Sequence, residues 1–273
     1  ALIAVMGASF ILPVIVAILG LLAVFGSNGA VNLILGQFGL PKMQIYGAHG
    51  VILAHVFFNL PLAVRLILQG WLAIPSERFQ VAASLGVSLF WLLEWPMLKR
   101  IVPGASAVIF VICLGSFAVA LTLGGGPRAT TVELAIYQAF KFDFDLSKAA
   151  SLAVVQLLLG ATAGIVARSL ARGDMLGAGL DRVVQRWDGY RILDGLWITC
   201  AAVFLVLPLG AVLFAGLPGL LDLPASIWPA TLRSLAIAIT AVILTIVLAL
   251  PLATRAGEAA SLLAISISGL VLG

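Results

Sequence analysis

The chain has 273 residues, 63% of them hydrophobic and only 10% charged, with a mean hydropathy of +1.21. A soluble domain carries about 25% charged residues and is under half apolar, so one water-facing core could not hide this surface and lipid must solvate much of it. The formal net charge of +4 does not point to nucleic acid, because the basic residues sit between long apolar runs, where membrane proteins carry their cytoplasmic anchors.

A transmembrane helix needs about 20 mostly apolar residues. Six stretches reach that length, at roughly 1–25, 47–73, 101–121, 147–170, 192–215 and 229–253, and a seventh is expected from 259 onward. Ala1 opens inside one apolar run and Gly273 closes inside another, with no signal-peptide pattern, so a fragment lacking flanking spans is expected. Helices are the default because backbone groups in lipid have to be satisfied within the segment, and no alternating barrel pattern is present. Pro13, Pro61, Pro208 and Pro251 are expected inside spans, each removing one helical hydrogen bond. The fold class is therefore all-α transmembrane, a polytopic helical bundle.

Orientation follows from the basic residues. Arg65, Arg78, Lys99 and Arg100 flank one loop, and Arg168, Arg172, Arg182, Arg186 and Arg191 fill another. Arg255 marks a third. Lys42, Arg128, Lys141, Lys148 and Arg233 are scattered on the alternate side among Glu133, Asp143, Asp145 and Asp222. The first set is cytoplasmic. The most polar stretch, 171–191, reads as a cytoplasmic linker between a first half (1–170) and the start of a second (192–273), since transporters commonly repeat; an ordinary long loop is the alternative.

Residues 75–100, PSERFQVAASLGVSLFWLLEWPMLKR, lie in a cytoplasmic loop yet are rich in apolar side chains. Apolar residues at helical spacing on that side need a partner surface. Ser76 is expected to cap a helix with Glu77 in its first turn, and Gly86 to allow a sharp turn into a second short helix. A docking element for a cytoplasmic protein and an interfacial helix lying on the bilayer both fit the pattern.

The segment resembles the "EAA" loop of permeases of binding-protein-dependent ABC importers. Gln80, Val81 and Ala82 hold the first three places, followed by Ala83, with Gly86 at the glycine and Pro96 at the proline. The blocks 54–69 (AHVFFNLPLAVRLILQ), 94–100 (EWPMLKR) and 121–140 (LTLGGGPRATTVELAIYQAF) together are similar to thiamine importer permeases, and 231–253 to the opening helix of their second half. The resemblance implies a type I (MetI-like) permease fold in a bacterial inner membrane, carrying thiamine or its phosphates. It implies that 75–100 forms coupling helices in a cleft of a cytoplasmic ABC ATPase homodimer. It also implies a periplasmic thiamine-binding protein docking near 26–46, 122–146 and 216–228. ATP and Mg would then sit on the ATPase, with no cofactor on this chain and no enzymatic activity of its own. Two departures stand out: Gln80 replaces the usual Glu, and the Gly86–Pro96 interval is about one helical turn short, so a short or tilted second coupling helix is expected. A ferric-iron permease is the nearest alternative. An ion-driven secondary transporter is the rival class, disfavoured because the central stretches contain no Asp or Glu.

The other polar residues suggest no catalysis. No Walker A string, HExxH, CxxC or Cys/His cluster occurs. Cys113 and Cys200 read as small buried hydrophobes, and Gly7-Ala8-Ser9-Phe10 lacks the second glycine of a membrane serine-protease string. His55 and Asn59 share a face of the 47–73 span with Leu62; they either pack helices together or line a passage. Glu133 is the acidic candidate facing the outer side, on a short helix capped by Thr130 or Thr131; it either guides a cationic substrate or binding protein, or caps the helix.

Overall fold

The computed structural model describes residues 13–124, 126, 129–170 and 191–255. Residues 1–12 of the first expected span, the linker through 190, the seventh span from 259, and Gly125, Pro127 and Arg128 lie outside the described residues. The chain divides after Val212 into two compact units.

The described residues contain helices and no strand. In chain order they are α1 (Val14–Phe25), α2 (Ala30–Gln37), α3 (Ala48–Leu72), α4 (Ser76–Ser84), a π-helical turn (Phe90–Glu94) running into α5 (Trp95–Leu114), α6 (Phe117–Leu123), α7 (Val132–Lys141), α8 (Leu146–Leu170), α9 (Arg191–Gly216), a 3-10 turn (Pro218–Asp222) and α10 (Ile227–Arg255). Among the described residues, six segments are long and apolar enough to cross a membrane. The protein is a polytopic all-α membrane protein, as its composition implies.

Polar side chains survive in these spans because they are answered locally. Thr162, Thr199, Thr231 and Thr240 each donate a hydroxyl to the carbonyl one turn back, which satisfies these four donors within their own helices.

The packed core of the first unit gathers Ala17, Ile18 and Leu21 of α1, Val51, Ala54 and Phe57 of α3, Val119 and Leu123 of α6, and Leu205 of α9. Phe57 is fully buried, and its ring meets those of Phe58 and Phe204 edge-on at 5.6 and 5.7 Å. With the basic flanks cytoplasmic, this core lies in the outer half of the bundle. Small residues allow the approach: a Cβ on Gly20 would lie 2.5 Å from the Pro208 carbonyl oxygen. The second unit comprises the end of α9 from Leu213, the 3-10 turn and α10.

Three boundaries differ from expectation. The third span is Phe90–Leu114, not 101–121. Helix continues through Lys99 and Arg100, and residues 117–123 form the separate α6. Pro13 precedes α1 as its N-cap instead of falling inside a helix. Residues 26–46, expected as an outer loop, contain α2 and are organised by Asn32. Its amide donates to the carbonyls of Gly26 and Met43, both at 2.8 Å, and its oxygen accepts from the Met43 amide at 2.7 Å.

Gly20→Val should lower stability by about 1–3 kcal/mol through overpacking, read as a fall in the unfolding midpoint in detergent. Gly210→Val on α9, where an added Cβ meets nothing within 4 Å, should stay within about 0.5 kcal/mol of wild type.

Candidate functional site

The chain leaves α3 at its cytoplasmic end through Leu72, and Pro75 then stops the run. Pro75 sits at the N-cap of α4 in extended conformation, and no side chain caps the helix. Ser76 is therefore the first helical residue and not the cap expected of it. Proline suits the entry because its fixed φ leads into a helix.

Two of the nine residues of α4, Phe79 and Ala82, are buried. The Phe79 ring packs on Trp71 at 5.4 Å between centroids. Trp71, from the last turn of α3, also donates its indole N–H to Glu94 at 3.3 Å, at the foot of the α5 helix. One indole thus ties three elements at the cytoplasmic end.

The opposite face of α4 is exposed and carries Glu77, Gln80, Val81 and Ala83. Val81 is 56% exposed, and Leu85 just beyond the helix is 67% exposed. The helix ends in a Schellman turn: the Gly86 amide donates to Ala83 and the Val87 amide to Ala82, both at 3.2 Å. Gly86 supplies the φ of +62° that this closure requires. The sharp turn expected at Gly86 is present. The second short helix is not: after residues 87–88 the chain enters the long helix directly, and Pro96 lies in the first turn of α5, where its missing N–H costs little.

Of the expected coupling residues, Glu77, Gln80, Val81, Ala83 and Gly86 are thus exposed together. Ala82 is fully buried beneath them, and Pro96 belongs to a different helix. Sequence reading missed the residues that hold this element in place, namely Trp71, Phe79 and Glu94. The available signal was an aromatic at the end of a span and another eight positions on, across Pro75.

Asn59 is buried on α3, where its amide donates to the His55 carbonyl at 2.9 Å and to the Cys113 sulfur of α5 at 3.4 Å. His55 lies one turn away with its Nε2 buried and unbonded. Neither residue is near the α4 element, because α3 runs from one side of the membrane to the other.

Glu133 occupies the first turn of α7, and Thr131 caps that helix by accepting from the Leu134 amide at 3.3 Å. The Glu133 Oε2 is buried without a partner, and burial pushes the carboxyl above its ordinary value. Between the ordinary and the raised value the folded chain keeps a proton that the unfolded chain has released. Stability therefore falls as pH rises through that window. Glu133→Gln should abolish this slope: unfolding midpoints should match wild type below about pH 4 and exceed it at neutral pH. An unchanged slope in the variant would contradict the assignment.

Among the described residues no group of three or more His, Cys, Asp or Glu could hold a metal ion. No protein-family profile matches the chain, and no solved structure matches it. Curated relatives do. The chain is 41% identical to the thiamine transport system permease protein ThiP of Salmonella typhimurium and to that of Escherichia coli, in each case over 89% of this chain and 47% of the relative. It is 38% identical to ThiP of Brucella suis, over 88% of this chain and 46% of the relative. The chain spans about half the length of these relatives, and the likeness seen in three sequence blocks extends over nearly all of it: it is similar to thiamine transport permeases along almost its whole length.

Proposed function

We propose that this chain is the membrane-spanning permease part of an ATP-driven, binding-protein-dependent importer of thiamine and its phosphates in a bacterial inner membrane. The observation that carries this reading is α4: a short helix at the cytoplasmic end, fastened on one face by Phe79 and Ala82 and presenting Gln80, Val81, Ala83 and Leu85 on the other. An exposed apolar face outside the spans needs an occupant, and the similarity to thiamine permeases supports an ATPase subunit as that occupant. ATP and Mg then bind the ATPase, this chain translocates without catalysing, and a periplasmic thiamine-binding protein delivers substrate to the outer loops. The division into a first permease half up to residue 170 and the opening of a second from 192 belongs to the same proposal.

The mechanism follows from the tie at Trp71. ATP-driven closure of the ATPase moves α4. Phe79 and Trp71 pass that movement to the cytoplasmic end of α3, and Glu94 passes it to α5. Both helices then tilt about the packed core in the outer half, opening the passage alternately to each side.

The test uses the full-length permease reconstituted with its ATPase. Thiamine-loaded binding protein should stimulate ATP hydrolysis and ferric iron should not; the reverse would move the assignment to an iron importer. A β-branched residue at the left-handed Gly86 is strained by about 1–2 kcal/mol. Gly86→Val should therefore loosen the closure of α4 and lower thiamine uptake, while the unfolding midpoint of the spans changes little. Normal uptake by this variant would count against coupling through α4.

A further inference from the structure

The segment 90–99 does something different from α4. Trp91, Trp95 and Lys99 follow one another at four-residue spacing, which places them in one line along the helix. All three are exposed. Trp91 is 65% and Trp95 38% exposed, with Phe90 beside them at 41%. The rings form a ladder: Phe90 and Trp91 lie 5.2 Å apart, Trp91 and Trp95 6.1 Å apart. The Lys99 ammonium stands over the Trp95 ring, 5.0 Å from its centroid. The same line continues through Val102, Ser106 and Phe110, which are also exposed. It is the face that α5 presents outward along its whole length.

The helix length sets the depth of these groups. α5 has 20 residues from Trp95 to Leu114, which at about 1.5 Å per residue is about 30 Å, the thickness of the hydrocarbon core. With Leu114 at the outer boundary, Trp95 stands at the cytoplasmic boundary and Trp91 one turn beyond, among the headgroups. Lys99 starts one turn inside the hydrocarbon. Its side chain leans toward the helix N-terminus, as helical side chains do, and so returns the ammonium to the level of Trp95. An amphipathic ring at the boundary and a lysine climbing to it are the arrangement that an interface selects.

We propose that Trp91, Trp95 and Lys99 form a seat for the phosphate of an anionic phospholipid in the cytoplasmic leaflet. The indoles bracket the glycerol region, and the ammonium, held by the Trp95 ring, meets the phosphate. Charge complementarity favours this occupant: Arg65, Arg78, Lys99 and Arg100 outnumber Glu77 and Glu94 at this end. The ATPase then contacts α4 and the turn after it, while the lipid holds the foot of α5. Because Glu94 lies within the same π-helical turn and accepts from Trp71, the bound lipid steadies the base against which α4 moves.

The seat rests on the transmembrane reading of Phe90–Leu114 and not on thiamine as cargo, so its test is independent of transport. Two measurements on the full-length permease address it. The first is native mass spectrometry in detergent with added dioleoyl-phosphatidylglycerol or dioleoyl-phosphatidylcholine. Wild type should retain phosphatidylglycerol in preference, Lys99→Gln should lower that preference several-fold, and Lys99→Arg should keep it. An unchanged preference in Lys99→Gln would overturn the proposal. The second is fluorescence in vesicles containing a headgroup-spin-labelled lipid, taken as wild type minus Trp95→Phe. The Trp95 component should be quenched, and added ATPase should leave that quenching in place. Loss of quenching on ATPase addition would show the rings covered by protein, and would return residues 90–95 to the docking surface.

Discussion

Trp71 joins three elements at the cytoplasmic end of this molecule. Its ring packs at a tilt on Phe79 of α4 and its N–H bonds to Glu94 below α5, at the end opposite the tightly packed core. A coupling element has to be fastened firmly enough to transmit force yet leave one face free for a partner. A nine-residue helix could not meet that demand on its own, since isolated short helices are marginal in water. Packing Phe79 and Ala82 against the ends of two membrane helices provides the missing stability. Trp71 is suited to the task because a single indole offers both a ring face and a donor.

Phe57, Leu21, Leu123 and Leu205 fill a close-packed centre in the outer half, and toward the cytoplasmic end Gly70 of α3 leaves room for Ile101 and Met97 of α5. Close-packed interiors transmit displacement and resist deformation. Asn32 stiffens the same outer region by tying the α2 segment to Gly26 and Met43.

Much of this was legible in the sequence for a simple physical reason. Lipid forces long apolar runs, so the number and rough placement of spans could be read from composition. The Gly86 turn was legible because glycine favours the left-handed conformation that closes a helix. Other features were hidden. Lys99 and Arg100 looked like the edge of a span, but a lysine can begin inside the hydrocarbon and climb out, and the span starts eleven residues before the expected Ile101, at Phe90. Ser76 resembled a cap, yet Pro75 already set the helix entry. Asn32 and the Trp71–Glu94 pair are contacts between residues 11 and 23 positions apart, and no local pattern announces them.

In the proposed mechanism, force from a cytoplasmic ATPase enters through the exposed face of α4. A photo-cross-linking amino acid at Val81, in the full-length permease assembled with its ATPase, tests this at the contact itself. Position 81 should cross-link to the ATPase subunit, with a yield that changes when ATP is added. Cross-links to lipid alone, or a yield indifferent to nucleotide, would contradict it.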